Sequence, residues 1–457
     1  MSSRTFITLQ DWLNWQETLH PTEIELGLER VQEVLERLLP QCFESSFAKF
    51  PFTVITIAGT NGKGSTVAML ESMLSEAGYR VGCYSSPHLL QYNERIKINK
   101  TPVSEQSICQ SFARIDQARD HVSLTYFEFG TLAALDIFYQ QQCEIVVLEV
   151  GLGGRLDAVN VIEPDVALVT TVDIDHQDWL GNDRNTIGLE KAGIYRTTKP
   201  AIYGDKNLPQ SIHNKVLQER LSFYQFSQDY DFKLRGDQWD WLPAENCRDF
   251  EPRYNLPTPN LRGGIQVKNA ANALMVLEFL RDNFPVAQAE IKRGLQNIFL
   301  AGRFQIVTSE PLIILDVAHN VQAAKILRQS IEQLSVPGKL NVIVGMLKDK
   351  EVSEVLAILQ PVVDNWRVIE LDSPRAIPAK EIEQILHEQC HKNDLMDKNI
   401  QSFDSFAEAY QDYRRYNTAT GNIEKLLVFG SFYTVSDALS TLKPSPLNNP
   451  DSMTAYE

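Results

Sequence analysis

Gly59-Thr60-Asn61-Gly62-Lys63-Gly64-Ser65 is the stretch of this chain whose residue types and spacing most clearly imply chemistry. It follows an apolar run holding Val54, Ile55 and Ile57, and it opens a helix-forming segment. Strand, glycine turn, lysine and helix together predict a phosphate cradle. The glycines let backbone N–H groups approach phosphate oxygens, the helix N-terminus adds positive potential, and Lys63 supplies a point charge. A glycine turn that merely caps a helix is the alternative, but packing alone gives no reason for Asn61-Gly62-Lys63-Gly64 directly after an apolar strand. The spacing departs from the common phosphate loop G-x-x-x-x-G-K-[ST], because Ile57 stands where its first glycine belongs and Gly64 where its hydroxyl belongs. With that magnesium-holding hydroxyl displaced, the metal ligands are expected elsewhere.

Other chemistry-bearing residues fall where apolar runs end. Ser85-Ser86-Pro87-His88 follows one run, and Asp173, Asp175 and His176 follow another. Glu149 closes a third and leads into Gly151-Leu152-Gly153-Gly154-Arg155-Leu156-Asp157. Ligands of open parallel sheets bind at the carboxyl ends of the strands, so these segments are expected to converge beside the phosphate loop. A hydroxyl, a carboxylate and an imidazole there suit magnesium held jointly with nucleotide oxygens, since that ion takes few protein ligands. Glu149 carries the argument, because a carboxylate in a buried apolar run is costly without a cation or donors. His176 reads equally well as a solvated loop histidine. The glycine-rich stretch after Glu149 reads as a tight turn or, through Arg155 and Asp157, as an anion-binding surface. Nothing local separates Lys191 from a solvated helix lysine. Asp316, His319 and Asn320 close a later run, with Arg303 before them and Asp349 and Gly430-Ser431 after further runs. Polar residues at strand ends in both halves imply a cleft between two domains, in which a reactive intermediate is kept from water.

The elements that position these residues follow from composition and period. A chain of 457 residues is too long for one ordinary core, so two domains are expected. A net charge of −16 argues against nucleic acid as a partner, because no basic excess exists to neutralise phosphates. Cys42, Cys83, Cys109, Cys143, Cys247 and Cys390 are scattered without a C-x-x-C pair, which predicts idle thiols in a reducing cytosol. Without a signal-like core or a run of membrane-spanning length, a soluble cytoplasmic protein is expected, with no membrane partner.

Residues 1–50 read as helical. From 53 to about 200, near-continuous apolar strands alternate with helices, the pattern of a parallel sheet covered on both faces. Residues 204–262 are polar and rich in Asp, Gln and Pro, and read as a small irregular or antiparallel insertion. After a helix over 267–283, residues 301–305 form the expected hinge. A second alternating series follows, with strands in 312–317, 339–347, 365–371 and 425–432. The predicted fold class is α/β. A larger P-loop, parallel-sheet, ATP-binding domain spans 1–298, a smaller Rossmann-like domain spans 299–442, and a disordered tail covers 443–457.

These motifs resemble the folylpolyglutamate synthase family, in particular its bacterial bifunctional dihydrofolate synthase/folylpolyglutamate synthases, which belong with the Mur ligases. AGTNGKGST, SSPHL, LTYFEFGTLAAL, EVGLGGRLDA, DH followed by LG, EKAGI, GRFQIV, DVAHN, GMLKDK and GSFYTV stand in the family's order between about residues 10 and 440. The likeness is weakest over 204–262. It implies a first domain like the Mur ligase central domain, with ATP phosphates on Gly59 through Ser65 (Gly59, Thr60, Asn61, Gly62, Lys63, Gly64, Ser65). Asn269, Arg303 and Asp316 are also implied on ATP. Ser86 and Glu149 would hold one magnesium ion and His176 a second. Thr125, Tyr126, Phe127 and Glu128 with Leu156, Asp157 and Ala158 would line the dihydropteroate or folate site, beside Arg155. Lys191 matches the family's carbamylated lysine, which overrides the solvated reading, because carbamylation turns a cation into a carboxylate able to meet magnesium. His319 and Ser431 are implied glutamate contacts. Val159 stands where the family's GRLDATN has threonine, which touches hydrogen bonding in the pterin-side loop. Ala301 stands where PGRFQ has proline, which implies a looser hinge.

The implied activity is ATP-dependent amide ligation, with Lys63, Glu149, His176 and Lys191 as the catalytic set and two magnesium ions as cofactors. The substrates would be ATP, L-glutamate, dihydropteroate and reduced folates, and the chain would act as a monomer. A peptidoglycan Mur ligase shares the phosphate loop but lacks the TYFE and GLGGRLD segments. A nucleotide switch is disfavoured by the absence of an N-K-x-D motif, and a kinase would give a phosphorylated product instead of a new amide.

Overall fold

Runs of β-branched and aliphatic residues without polar alternation fit only where both faces of a sheet are covered. In the computed structural model, which describes residues 6–44, 49–334, 336–392, 398–420 and 424–442, such runs form the middle of two sheets. The first part of the chain supplies β1 (Thr53–Ala58), β2 (Val81–Tyr84), β3 (Ile96–Ile98), β4 (Thr101–Pro102), β5 (Ile145–Glu149) and β6 (Val166–Val169). It continues with β7 (Pro200–Tyr203), β8 (Ser222–Gln225), β9 (Tyr230–Arg235), β10 (Gln238–Pro243) and β11 (Arg253–Pro257). The second part supplies β12 (Gln305–Ser309), β13 (Leu312–Asp316), β14 (Leu340–Val344), β15 (Asn365–Ile369), β16 (Asn399–Phe403) and β17 (Lys425–Phe429). The chain divides into two compact units, Met1–Pro259 with Val267–Ile298 and Asn260–Gln266 with Phe299–Glu457.

The first unit is organised on an eight-stranded sheet of order β4-β3-β2-β5-β1-β6-β7-β8. The strands from β2 to β8 in that order are parallel, and the short β3 and β4 make an antiparallel edge. Every residue of β5 is buried, as the apolar run predicts. The N-terminal helices Leu9–Leu19 and Glu29–Leu38 add Trp12, Val31, Val34 and Leu35 to the core.

The expected insertion over 204–262 needs correction. Its first part continues the alternating pattern, because the helix Gln210–Glu219 leads into β8, which pairs in parallel with β7. Polar residues such as Ser222 and Gln225 hid this strand, since it forms a partly exposed edge. Only the later part is antiparallel, as the three-stranded sheet β11-β10-β9, where Trp239 and Trp241 are buried.

The second unit carries a six-stranded sheet of order β12-β13-β17-β14-β15-β16, parallel except for β12. β12 and β16 lie outside the strands expected from sequence. Both are edges with mixed exposure, so neither shows a continuous apolar run. The tail from Lys443, read as disordered, lies outside the described residues. All six cysteines are free thiols. Among the described residues no helix is long and apolar enough to cross a membrane.

Candidate active site

The turn between β1 and the helix Lys63–Glu76 is held by the segment that follows β6. Thr60 N–H donates to Thr171 O at 2.8 Å, Thr60 Oγ1 to Asp173 O at 3.0 Å, and Asn61 N–H to Thr171 Oγ1 at 3.1 Å. In return Thr170 Oγ1 donates to Asn61 O at 2.7 Å. Gly62 starts the helix with φ 92°, and a Cβ there would lie 2.8 Å from Asn269 Oδ1. A side chain at 62 would meet both strain and collision. Asn269, buried in the helix Ile265–Leu280, therefore lies against the phosphate loop. The Lys63 ammonium donates to Gly59 O at 2.9 Å, and Ser65 is buried in the first turn. That turn leaves N–H groups without intrahelical partners, the donors a phosphate uses.

Three further parallel strands end on the same edge of the sheet as this loop, β5 and β6 beside β1 and β2 one strand beyond β5. Glu149, buried, is in register with Ile57 of β1, so its carboxylate is one strand away. Ser86 follows β2, which pairs with β5 on its other side. His176 precedes the short helix Gln177–Leu180 with φ 52°, and its Nε2 is 4.0 Å from Asp175 Oδ2. Lys191 ends the helix Arg184–Lys191 and is only 3 % exposed, which corrects its reading as a solvated lysine. Burial foremost, then the Lys63 charge, pushes its amine down to about 7, against the pull of Asp175 and Asp157. Burial raises Asp157 to about 6, even though Leu152 N–H and Val159 N–H each donate to it at 3.0 Å. Lys63, Lys191, Asp157 and Asp175 thus share one electrostatic field. Among the described residues no three His, Cys, Asp or Glu side chains form a group able to hold a metal ion. The proposed ligand set has only Glu149 and His176 of those types. It fits a hard ion that completes its shell with phosphate oxygens and waters, and not a zinc cage.

The glycine loop after β5, which leads into Arg155–Ala158, packs against Phe127 and against the helix that carries Lys191. A Cβ at Gly151 would lie 2.7 Å from Phe127 Cζ, and one at Gly154 would lie 2.8 Å from Glu190 O. The ring of Phe127 thus covers the start of the glycine loop, and the loop packs on the end of the lysine-bearing helix. Thr125 and Glu128 form a capping box at the head of the helix Tyr126–Gln140, and Glu128 also accepts from Arg30 Nη2 at 2.9 Å. Both are engaged in starting that helix. Tyr126 packs edge-on against Tyr92, with centroids 5.6 Å apart. Arg155 pairs with Glu190 at 2.9 Å, Leu156 O accepts from Gly27 N–H at 3.2 Å, and Ala158 is buried. Val159, in place of the family's threonine, is fully buried, and its backbone N–H keeps the bond to Asp157.

The sequence points to His88 but not to its partner Arg95, nor to a second group near the N-terminus. Arg95 Nε donates to His88 Nδ1 at 2.8 Å, and its guanidinium lies 5.4 Å from both the Tyr92 and Tyr126 ring centroids. Burial and Arg95 push His88 down to about 4, so its imidazole is neutral at physiological pH. The segment from His20 to Arg30 is the other. His20 Nδ1 is 2.7 Å from Ser123 Oγ, and Arg30 grips both Glu25 and Glu128. Periodicity carries no signal for a pair 98 residues apart.

In the second unit Asp316 ends β13, where Oδ2 accepts from Phe304 N–H and Oδ1 from Ala318 N–H, each at 2.8 Å. Burial raises its carboxyl above the ordinary value, against Arg303 and those donors. The Arg303 guanidinium lies 5.4 Å from the Phe432 ring centroid, and the His319 ring is 6.3 Å from the same ring. His319 Nδ1 is 2.8 Å from Val317 O. Ser431 Oγ accepts from Thr434 N–H at 3.0 Å, starting the helix Phe432–Leu442. Asp349 is paired with Lys350 and Arg375.

Residues 57–277 match the family described as Mur ligase middle domain, and residues 302–432 match Mur ligase, glutamate ligase domain. The Escherichia coli K12 dihydrofolate synthase/folylpolyglutamate synthase is 41% identical over 438 residues, 95% of each chain. The structure of Escherichia coli FolC in complex with DHPP and ADP superposes with a TM-score of 0.84 at 39% identity, covering 96% of this chain and 98% of that one. A Yersinia pestis bifunctional folylpolyglutamate synthase/dihydrofolate synthase complexed with AMPPNP and Mn ion gives 0.84 at 40% identity, covering 97% of this chain and all of that one. With a phosphate loop, strand-end carboxylates and a buried lysine arranged as described, this chain belongs to the dihydrofolate synthase/folylpolyglutamate synthase family of the Mur ligases.

Proposed function

We propose that this chain is an ATP-dependent amide ligase that adds L-glutamate to dihydropteroate, giving dihydrofolate, and to the terminal glutamate of reduced folates. The observation that carries the reading is the field of Lys63 with the buried Lys191, Asp157 and Asp175 beside the phosphate loop, in a chain of this family. The substrate carboxylate attacks the γ-phosphorus of ATP, ADP departs, and an acyl phosphate forms. The glutamate amine then adds to the acyl carbon, and the tetrahedral intermediate expels phosphate as the amine loses its proton. Lys63, now folded onto Gly59 O, supplies positive charge to the phosphates.

Magnesium, when bound, lowers the charge on the phosphate oxygens. Ser86, Glu149, His176 and Lys191 are the residues that would hold it, as two ions. Lys191 serves there as a carbamate: its neutral amine adds to carbon dioxide and releases a proton. Burial and an amine pushed down to about 7 favour that reaction, whereas a bare ammonium beside Lys63 would only repel. Asn269, Arg303 and Asp316 contact ATP, and His319 and Ser431 contact glutamate. Phe127 over the glycine loop gives the pterin an apolar face, with Thr125–Glu128 and Arg155–Ala158 around it. One centre serves both carboxylate substrates, in a cytoplasmic monomer acting on small molecules.

The test is ADP release with ATP, magnesium, dihydropteroate and L-glutamate, omitting each in turn. Ligation requires all four and yields free phosphate with dihydrofolate. ADP release that persists without glutamate, with a phosphorylated product, would identify a kinase instead.

A further inference from the structure

We propose that Phe432 is a positioning residue that holds Arg303 and His319 on one aromatic ring, and so couples the nucleotide side of the site to the amino-acid side. The inference rests on the reading above, in which Arg303 meets ATP and His319 meets glutamate.

Three separate segments of the second unit meet at this ring. The turn before β12 brings Arg303, the turn after β13 brings His319, and the turn after β17 brings Phe432. The base of the ring is rigid. Ser431 and Thr434 cap the helix that Phe432 begins, and Thr434 Oγ1 donates to Gly345 O beyond β14 at 2.7 Å. Phe432 is thereby tied to the ends of two neighbouring strands. Its side chain is half-buried, so part of the ring stays open at the end of the helix it begins. An arginine is attracted to the face of an aromatic ring by the ring's quadrupole, which an aliphatic side chain of similar volume lacks. His319 is oriented from its other end by the contact between Nδ1 and Val317 O. The geometry therefore makes two demands on position 432, a fixed backbone and an aromatic face.

Wild type, Phe432→Leu, Phe432→Met, Phe432→Tyr, Arg303→Met and the Arg303→Met/Phe432→Leu pair are compared as full chains. KM is measured for ATP and for L-glutamate with dihydropteroate as acceptor, and the Kd of magnesium-ATP is measured by calorimetry. Phe432→Leu and Phe432→Met should each raise both KM values about three- to tenfold, the range of a cation–π contact, with kcat changing less. Phe432→Tyr should restore both. In the Arg303→Met background Phe432→Leu should leave KM for ATP unmoved and still raise KM for glutamate. The inference is overturned if Tyr is as damaging as Leu, if only one KM moves, or if the ATP effects of the pair simply multiply. Failure of wild type to form an amide would overturn the ligase reading alone. In that case calorimetry decides the coupling, with weaker nucleotide binding by Leu and Met but not Tyr supporting it, and equal binding by all refuting it.

Discussion

The two units hold an aspartate in the same way and differ in what stands beside it. Asp157 and Asp316 each accept from two backbone N–H groups and are each raised by burial, and the first unit adds a buried lysine to that field. In the first, Lys191, Asp157 and Glu149 are buried at strand and helix ends, and burial shifts the ionisation of Lys191 and Asp157 toward the neutral forms. In the second, Ser431 starts a helix, and Arg303 and His319 rest on one ring. The first arrangement stores electrostatic imbalance and the second fixes positions. Substitutions in the first unit should therefore change turnover, and substitutions in the second should change apparent affinities.

The largest effect tests the first half of that contrast. Lys63→Ala should lower kcat by about a thousandfold, the size of losing a preorganised charge at a developing anion, with KM for glutamate within about twofold. A large rise in KM with kcat intact would place Lys63 in binding alone. Lys191→Met should also abolish most activity, on the order of a hundredfold, yet make the ligand-free protein, with Lys191 as the uncarbamylated amine, more stable. The sign follows from protons. The amine is held near 7 in the fold, below its ordinary value, so the unfolded chain binds more protons between the two values. The buried lysine thus costs stability, fully below pH 7 and progressively less as pH rises. Thermal melts at pH 6 and pH 10 should show the larger gain from methionine at pH 6, and a loss at both would break the account of stored imbalance.

Smaller effects sharpen the other side. Arg303→Ala should raise KM for ATP about tenfold or more, as for a charge-assisted contact, and leave the melting temperature unchanged. Glu128→Gln should cost about 1–3 kcal/mol, because it weakens the capping box and leaves the buried end of Arg30 underpaired. The same variant should shift the ratio of activity on dihydropteroate to that on tetrahydrofolate, read in parallel assays. Ser431→Ala is the mildest, about 1 kcal/mol from a lost cap, visible in a denaturant titration. The same variant should raise KM for glutamate through the proposed contact, and an unchanged KM beside the stability loss would leave Ser431 as a cap alone.

What was legible in the sequence tracks how local each cause is. The phosphate loop announces itself because its glycines, lysine and preceding β-branched run are contiguous. Glu149 is legible because a carboxylate at the end of a buried run violates hydrophobic patterning. Lys191 is legible only through the family motif and opaque to local pattern, since its burial involves Gly154 packing against the end of its helix and its shifted amine involves the charge of Lys63 far along the chain. The stretch Thr125 to Glu128 is read from the sequence only as a family motif, and its role as a T-x-x-E capping box comes from the structure. Edge strands β8, β12 and β16 escaped because exposure on one side removes the continuous apolar signal on which parallel strands are recognised.

One reaction centre for two carboxylate substrates is the central claim, and Glu149→Gln tests it most directly. Glutamine keeps the shape of the side chain and removes its charge at the end of β5, beside the phosphate loop. Purified variant and wild type are assayed in paired arms with ATP, magnesium and L-glutamate, one arm receiving dihydropteroate and the other tetrahydrofolate. The account predicts that both activities fall together, by about a hundredfold or more. Retention of either activity at the wild-type level would contradict it.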